Sequence, residues 1–432
     1  MTQEKVLLVR AAFGAVGALA AVVALRWPMP KRIASASEHD FRRAYWLAFA
    51  ASRILLFALV FLVARIPSRG DLTTLYYPEA HRAMDGRIPD LTFYTSYAPL
   101  NGYMNAAALK IRDTPLSLIA LAILAEILAV PAWLGAFKEV LDKETIRRGA
   151  LLYFVQPLAL WTTIVDGQNN AIIAAWLALS LYFLSRRRDI GSGVAYSMPL
   201  VTVKFLALMF LPCFVVGVKR WARWLIAALM VPAAVYGYFA LYLRADIFKP
   251  LSYERTLQTS GGLPFVIDAL RGKDVMPFVD IATAVILLAV FVWQYRYRLA
   301  QAGREAWPVA VGCVMTVMVL LTVSKKAWTA YAVMVMFPLC LLVAKHARRR
   351  WLWLVWPALC FIEVFEPSYW ATHLEAAYPA RLHGLIVGGN HGAWLLLVMD
   401  IALIGCNVYC IWLAMREMKS VSARNVRTMA AS

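Results

Sequence analysis

Apolar stretches of about 20 residues recur along nearly the whole chain, separated by short polar segments. A helix of roughly 20 apolar residues is what crossing a bilayer core of about 30 Å takes. In lipid the backbone must satisfy its own hydrogen bonds, so such runs read as helices. Of the 432 residues, 62% are hydrophobic and 16% charged. A soluble domain is roughly half apolar and a quarter charged. The sequence therefore predicts an all-α polytopic membrane protein with no room for a separate soluble domain.

The net charge of +19 would suit a nucleic-acid partner if the cations formed a patch interleaved with exposed aromatics. They do not. They cluster between apolar runs, as in Lys31-Arg32, Arg42-Arg43, Arg186-Arg187-Arg188, Lys219-Arg220, Arg296 with Arg298 and Arg304, and Arg348-Arg349-Arg350. This is the positive-inside pattern of cytoplasmic loops, suited also to anionic lipid head groups. No nucleic-acid partner is expected. The six cysteines all fall in apolar runs, without metal-ligand spacing or loop pairs for disulfides, and read as packing residues.

With the basic clusters placed in the cytoplasm, spans run at 6–26, 44–66, 114–137, 149–165, 169–185, 222–242, 277–294, 306–324, 328–344, 351–366 and 392–414. A short interfacial helix is expected near 99–110. The first run lacks a convincing small-residue cleavage site and reads as a retained helix. The segment 190–218 has both ends basic, yet its 29 residues are too few for two spans; it reads as a hairpin entering the membrane and turning near Pro199–Lys204. The longer loops, 67–100, 243–276 and 367–391, then fall outside the cell. No internal repeat or low-complexity tract stands out. The chain divides into an extra helix with its basic loop (1–43), a core (44–345), and C-terminal helices with an outer loop and cytoplasmic tail (346–432).

Long, aromatic and acidic outer loops place any site on that face. The leading candidate is Asp71, in Ser68-Arg69-Gly70-Asp71-Leu72 at the mouth of a span. A carboxylate there is placed to act as general base on a hydroxyl; the plainer reading is a helix cap or a solvated loop acid. Downstream, Glu79, His81 and Arg82 sit on an expected interfacial helix stopped by Gly86 and can bind sugar hydroxyls or a phosphate. The turn Asp166-Gly167-Gln168-Asn169-Asn170 carries several acid and amide groups, which serve a site, cap the next helix, or do both. Lys204 lies in the broken hairpin, and Lys325 and Lys326 defy the positive-inside bias at an outer helix end. An anionic lipid phosphate would account for all three, with Arg255 adding a bidentate contact; the alternative for each is snorkelling to the interface. Glu126, Glu363 and Asp400 fall within or near spans, where buried partners explain them more simply than a proton path. No acid cluster beside Asp71 makes a divalent-cation site, and His373, His383 and His391 lack zinc spacing, so no metal or other cofactor is expected.

Three blocks together resemble the GT-C glycosyltransferases, most closely glycosyltransferase family 87, which includes polyprenol-phosphate-mannose-dependent mannosyltransferases. They are Asp71, Tyr76-Tyr77, Ala80–Gly86 and Tyr97-Ala98-Pro99-Leu100; Gly167-Gln168-Asn169 through Arg186-Arg187-Arg188; and Gly191–Lys204 with Phe205–Pro212. The resemblance spans residues 45–345 and departs from the family pattern at Ala98-Pro99 and Ser324-Lys325-Lys326. It implies a GT-C-like bundle of about 12-13 transmembrane helices, with the catalytic Asp on an extracytoplasmic loop. It further implies inverting transfer of a sugar, most simply mannose, with Asp71 as general base. The donor would be a polyprenyl-phosphate sugar whose phosphate sits near Lys204 and the outer cations Lys325, Lys326 and Arg255. Tyr77, Glu79, His81, Arg82, Tyr97, Asp166, Gln168 and Asn169 are the corresponding candidates for binding sugar or acceptor. The partners implied are a lipid-linked donor, a glycolipid or glycan acceptor, and membrane lipids; the expected location is the inner (plasma) membrane, with the active site facing the periplasm. The rival reading is a transporter or flippase of a lipid-linked saccharide, drawing on intramembrane charges such as Glu126 and Asp400 and often built from repeated halves.

Overall fold

The computed structural model describes residues 3–68, 70–250, 252, 257–273, 278–297, 306–373 and 379–430. No strand occurs among them, only isolated bridges of Pro89 with Phe93 and of Ser260 with Lys326. Among the described residues seven helices are long and apolar enough to cross a membrane: Glu4–Arg26, Glu38–Val63, Pro115–Phe137, Trp221–Tyr242, Phe278–Arg296, Ala306–Val323 and His391–Val421. The chain is an α-helical membrane protein. Of the other expected spans, 351–366 lies within the helix Leu352–His373, and the rest fold as shorter or broken pieces. Residues 149–165 end the helix Lys143–Phe154, restart at Pro157–Leu160 and widen into a π-helical turn at Trp161–Val165.

Local chemistry accounts for the breaks. Ser37 starts the helix Glu38–Phe57 by accepting the Asp40 amide at 3.1 Å. Asp142 starts Lys143–Phe154 by accepting the Thr145 amide at 2.8 Å. Each takes up a first-turn amide that has no partner within its own helix. Gln156 does the same for the turn opened by Pro157, accepting the Ala159 amide at 3.1 Å.

The centre of the bundle is Ala306–Val323, with 94% of its apolar window buried. Trp133, Phe137, Trp307 and Phe337 stack beside it, with ring centroids 5.4–6.1 Å apart. Glu126 has the buried partner expected of it. Arg53 approaches it at 3.4 Å, and the Tyr153 hydroxyl donates to it at 2.7 Å.

The expected hairpin is present. Helix Asp189–Thr202 breaks at Val203 and Lys204, where the backbone turns extended, and Phe205–Phe210 and Leu211–Gly217 run back. The Tyr196 hydroxyl donates to the Ala207 carbonyl at 2.9 Å, a contact only a reversal allows. Helix breaks leave carbonyls to be satisfied at depth. Here the loop after residue 90 does it: the Ala98 and Leu100 amides donate to the Val203 and Val201 carbonyls at 3.0 and 2.9 Å.

The first helix, Gln3–Arg26, lies along Leu352–His373. Gly14 lets it come close, since a Cβ there would stand 3.3 Å from Phe361, and Gly17 lets the same helix rest on Pro157, which a Cβ would meet at 2.6 Å. Arg148 holds its far end by donating to the Ala24 and Leu25 carbonyls at 3.0 and 2.9 Å.

Candidate active site

Asp71 follows Gly70, whose φ of +63° turns the chain into the π-helical turn Leu72–Tyr76. Its carboxylate makes no capping bond to that turn. Instead Oδ2 accepts from the Gln168 amide nitrogen at 3.1 Å, and the Gln168 oxygen accepts from the Tyr76 hydroxyl at 3.0 Å. The chain Tyr76–Gln168–Asp71 fixes which way the amide faces, and so the carboxylate. Gly167 makes this possible: its φ is +63°, and a Cβ would meet Ile119 at 2.9 Å and Leu72 at 3.1 Å. Any side chain there would push the Gln168 turn away from Asp71.

Lys204, at the hairpin break, sits over the Tyr97 ring at 4.8 Å and within 5.9 Å of Trp328 and Tyr331. Three aromatic faces around one ammonium make a cation–π cage. Lys326 also lies over Trp328, at 5.4 Å. Burial and the neighbouring Lys204 charge lower the Lys326 ammonium to about 7. The stretch before Gly261 covers this corner: the Ser260 carbonyl accepts the Ala327 amide at 2.9 Å, and the Trp328 ring nitrogen donates to the Ser260 hydroxyl at 3.0 Å.

Two cavities meet here. One, of about 270 Å³, is bounded by Arg10, Trp161, Asp166, Gln168, Asn170 and Glu363 among others. The second, of about 360 Å³, is bounded by Leu75, Tyr94, Ser96, Tyr97, Gln258 and Lys326 among others. Asp71, Lys204, Ser260, Trp328 and Trp370 border both. A carboxylate and an ammonium thus border both chambers. No family model, no curated protein and no solved structure matches this chain. The chemistry of the site has to be read from its own atoms.

Of the residues expected at the site, Asp71, Tyr97, Asp166, Gln168, Lys204 and Lys326 border the cavities. Others do not. Lys325 turns away and pairs with Asp280 at 2.7 Å, because that acid compensates it on the opposite face. Tyr77 and His81 point outward to a shared partner, Asp113, at 2.8 and 3.0 Å. Arg82 packs over Phe93 at 5.6 Å. Glu79 is buried behind the site, where it accepts the Thr95 hydroxyl at 2.8 Å and steadies the loop before Tyr97. Burial raises its carboxyl to about 7, opposed by Thr95, Arg82 and Lys204. Asn169 is buried beside the turn and makes no side-chain cap. Arg255 lies outside the described residues, as do Arg298 and Arg304 of the basic clusters. Among the described residues no group of three His, Cys, Asp or Glu is placed to hold a metal ion.

Arg10, Asn170, Ser260, Trp328, Glu363, Glu366 and Trp370 border the site without having been singled out for it. Arg10 carried a signal: an arginine only a few residues inside an apolar run requires a partner. Its partner is Asp166, held by Nη2 at 3.1 and 3.0 Å, with the guanidinium over Trp161 at 4.6 Å.

Proposed function

We propose that the chain is an integral-membrane glycosyltransferase of the GT-C type, similar to family 87. It moves a hexose, most simply mannose, from a polyprenyl-phosphate donor to a glycolipid or glycan acceptor on the extracytoplasmic face, with inversion. The observation that carries this reading is that Asp71 borders both cavities, as does Lys204. Among the described residues Gln168 holds Oδ2 and nothing donates to Oδ1, which leaves that oxygen to take a proton.

The step follows from these placements. The acceptor hydroxyl oxygen bonds to the anomeric carbon as its proton passes to Asp71. The bond from that carbon to the phosphate oxygen breaks, and its electron pair leaves with the phosphate. The products are the glycoside and a polyprenyl phosphate. Lys204 and Lys326 stabilise the charge that grows on the phosphate, and fixed cations cost no reorganisation at that moment. Proton transfer is concerted with attack, so Asp71 needs direction more than an unusual basicity. The transport reading draws less support, since Glu126 is committed to Arg53 and Tyr153.

The test is transfer from a radiolabelled polyprenyl-phosphate mannose to membrane glycolipids by the purified protein. Asp71→Asn keeps the shape and removes the base, so transfer falls by about a hundredfold or more while the protein stays folded. Undiminished transfer by Asp71→Asn would remove Asp71 from the reaction.

A further inference from the structure

Three polar atoms of residues bordering the Arg10 cavity find no hydrogen-bond partner: Trp161 Nε1, Asn170 Oδ1 and Glu363 Oε2. The residues are 4%, 2% and 1% exposed. A buried polar atom left unpaired costs free energy comparable to a lost hydrogen bond. Three around one cavity, an indole N–H, an amide oxygen and a carboxyl oxygen, describe a ligand that both donates and accepts, as hydroxyl groups do. Trp328 and Trp370 add flat apolar faces to the same walls, and such faces suit the C–H side of a pyranose.

Charge narrows the class. The cavity is bordered by four acidic residues, Asp71, Asp166, Glu363 and Glu366, and by two cations, Arg10 and Lys204; Asp71 and Lys204 border the other cavity as well. Arg10 is taken up by its two-oxygen contact with Asp166. What this cavity adds on its own among the described residues is acid groups, which hydrogen-bond to hydroxyls, and no cation beyond Arg10 to receive an anion. The other cavity has the opposite balance, with Lys204 and Lys326 against Asp71 among its described lining.

We propose that the Arg10 cavity is the acceptor subsite and takes a neutral, hydroxyl-rich sugar head group carrying no phosphate or carboxylate, while the donor phosphate occupies the Lys326 cavity. The assignment of two substrates rests on the glycosyltransferase reading. The selection of a neutral sugar rests only on the cavity. The first helix, with Arg10, and the helix Leu352–His373, with Glu363 and Glu366, both lie outside the stretch that resembles the family. They build the acceptor side, with Arg10 as a positioning residue that holds the Asp166 turn.

The experiment uses the full-length protein in nanodiscs and a panel of octyl hexosides and pentosides, each neutral or carrying a phosphate on its primary hydroxyl. Tryptophan fluorescence reports binding without donor, and transfer kinetics report the two Michaelis constants separately. At least one neutral glycoside quenches the fluorescence, and its phosphorylated form binds about tenfold more weakly or worse. Glu363→Gln and Asn170→Ser, checked for folding by thermal denaturation, each raise the acceptor KM by about tenfold, the size of one lost hydrogen bond to a charged or buried group, and leave the donor KM unchanged. Equal or better binding of the phosphorylated glycosides, or a change confined to the donor KM, overturns the assignment. Should quenching be selective for neutral sugars, and lost in Glu363→Gln, while no transfer occurs with any donor, the sugar site stands and the transferase reading falls. Should transfer proceed with the acceptor KM indifferent to both variants, the transferase reading stands and this subsite falls.

Discussion

The two ends of the bundle use charge in opposite ways. At the basic end a cavity of about 1040 Å³ is bordered by Arg26, Lys143, Arg147, Arg148, Arg348 and Arg349 among others. Its inner arginines are engaged in building the fold. Arg147 donates to the Ile33, Ala34 and Ala36 carbonyls at 2.6–2.8 Å, and Arg148 closes the end of the first helix. Lys345 pairs with buried Glu417. At the other end the cavities are about 270 and 360 Å³, yet Trp161, Asn170 and Glu363 keep buried polar atoms without partners. The larger and more highly charged pocket is therefore the structural one.

Mutations that separate activity from stability test this contrast. The largest effect on chemistry belongs to Asp71→Asn, described above, which leaves the denaturation temperature near the wild-type value. The largest effect on stability belongs to Arg147→Leu. Orphaning three carbonyls costs about 3 kcal/mol, read as a lowered denaturation temperature, while transfer per folded molecule is unchanged. A loss of turnover in Arg147→Leu, at unchanged stability, would erase the distinction between the ends. Gln168→Leu comes next. It frees the Asp71 carboxylate to wander, so kcat drops about tenfold with the donor KM constant, the scale of one charged hydrogen bond.

The smallest effect is one of pH. With its folded pKa lowered to about 7, Lys326 is charged below that value and neutral above it. Donor affinity therefore weakens severalfold as pH rises through about 7, and the donor KM climbs. Lys326→Arg keeps its charge across the range and flattens the profile. A wild-type donor KM independent of pH between 6 and 8.5 would take Lys326 out of phosphate binding.

Much of this was visible in the order of residues. Period, length and the placement of cations located the helices, the broken hairpin at Lys204 and the loop bearing Asp71. Side chains that needed a partner were harder. Lys325 and Lys326 are neighbours with the same apparent excuse for an outer position, but consecutive residues face different ways. Asp280, far along the chain, takes the first and leaves the second over Trp328. Tyr77, His81 and Arg82 carry suitable chemistry, yet their helix presents it away from the cavities, to Asp113 and Phe93. The reverse holds for Glu363 and Arg10. Glu363 read as a membrane charge with a buried partner and Arg10 drew no reading, and only the packing of the first helix against Leu352–His373 brings both to one chamber.

That packing has a consequence for how the molecule is made. The first helix leaves the ribosome more than 300 residues before the helix it lies against, and chains are synthesised at about 5–20 residues per second. For some tens of seconds Arg10 waits in the membrane without the wall that completes its chamber. A nascent chain shorter than about residue 370 therefore has no closed chamber at Arg10, and whatever that chamber binds can be bound only once the helix Leu352–His373 has been made.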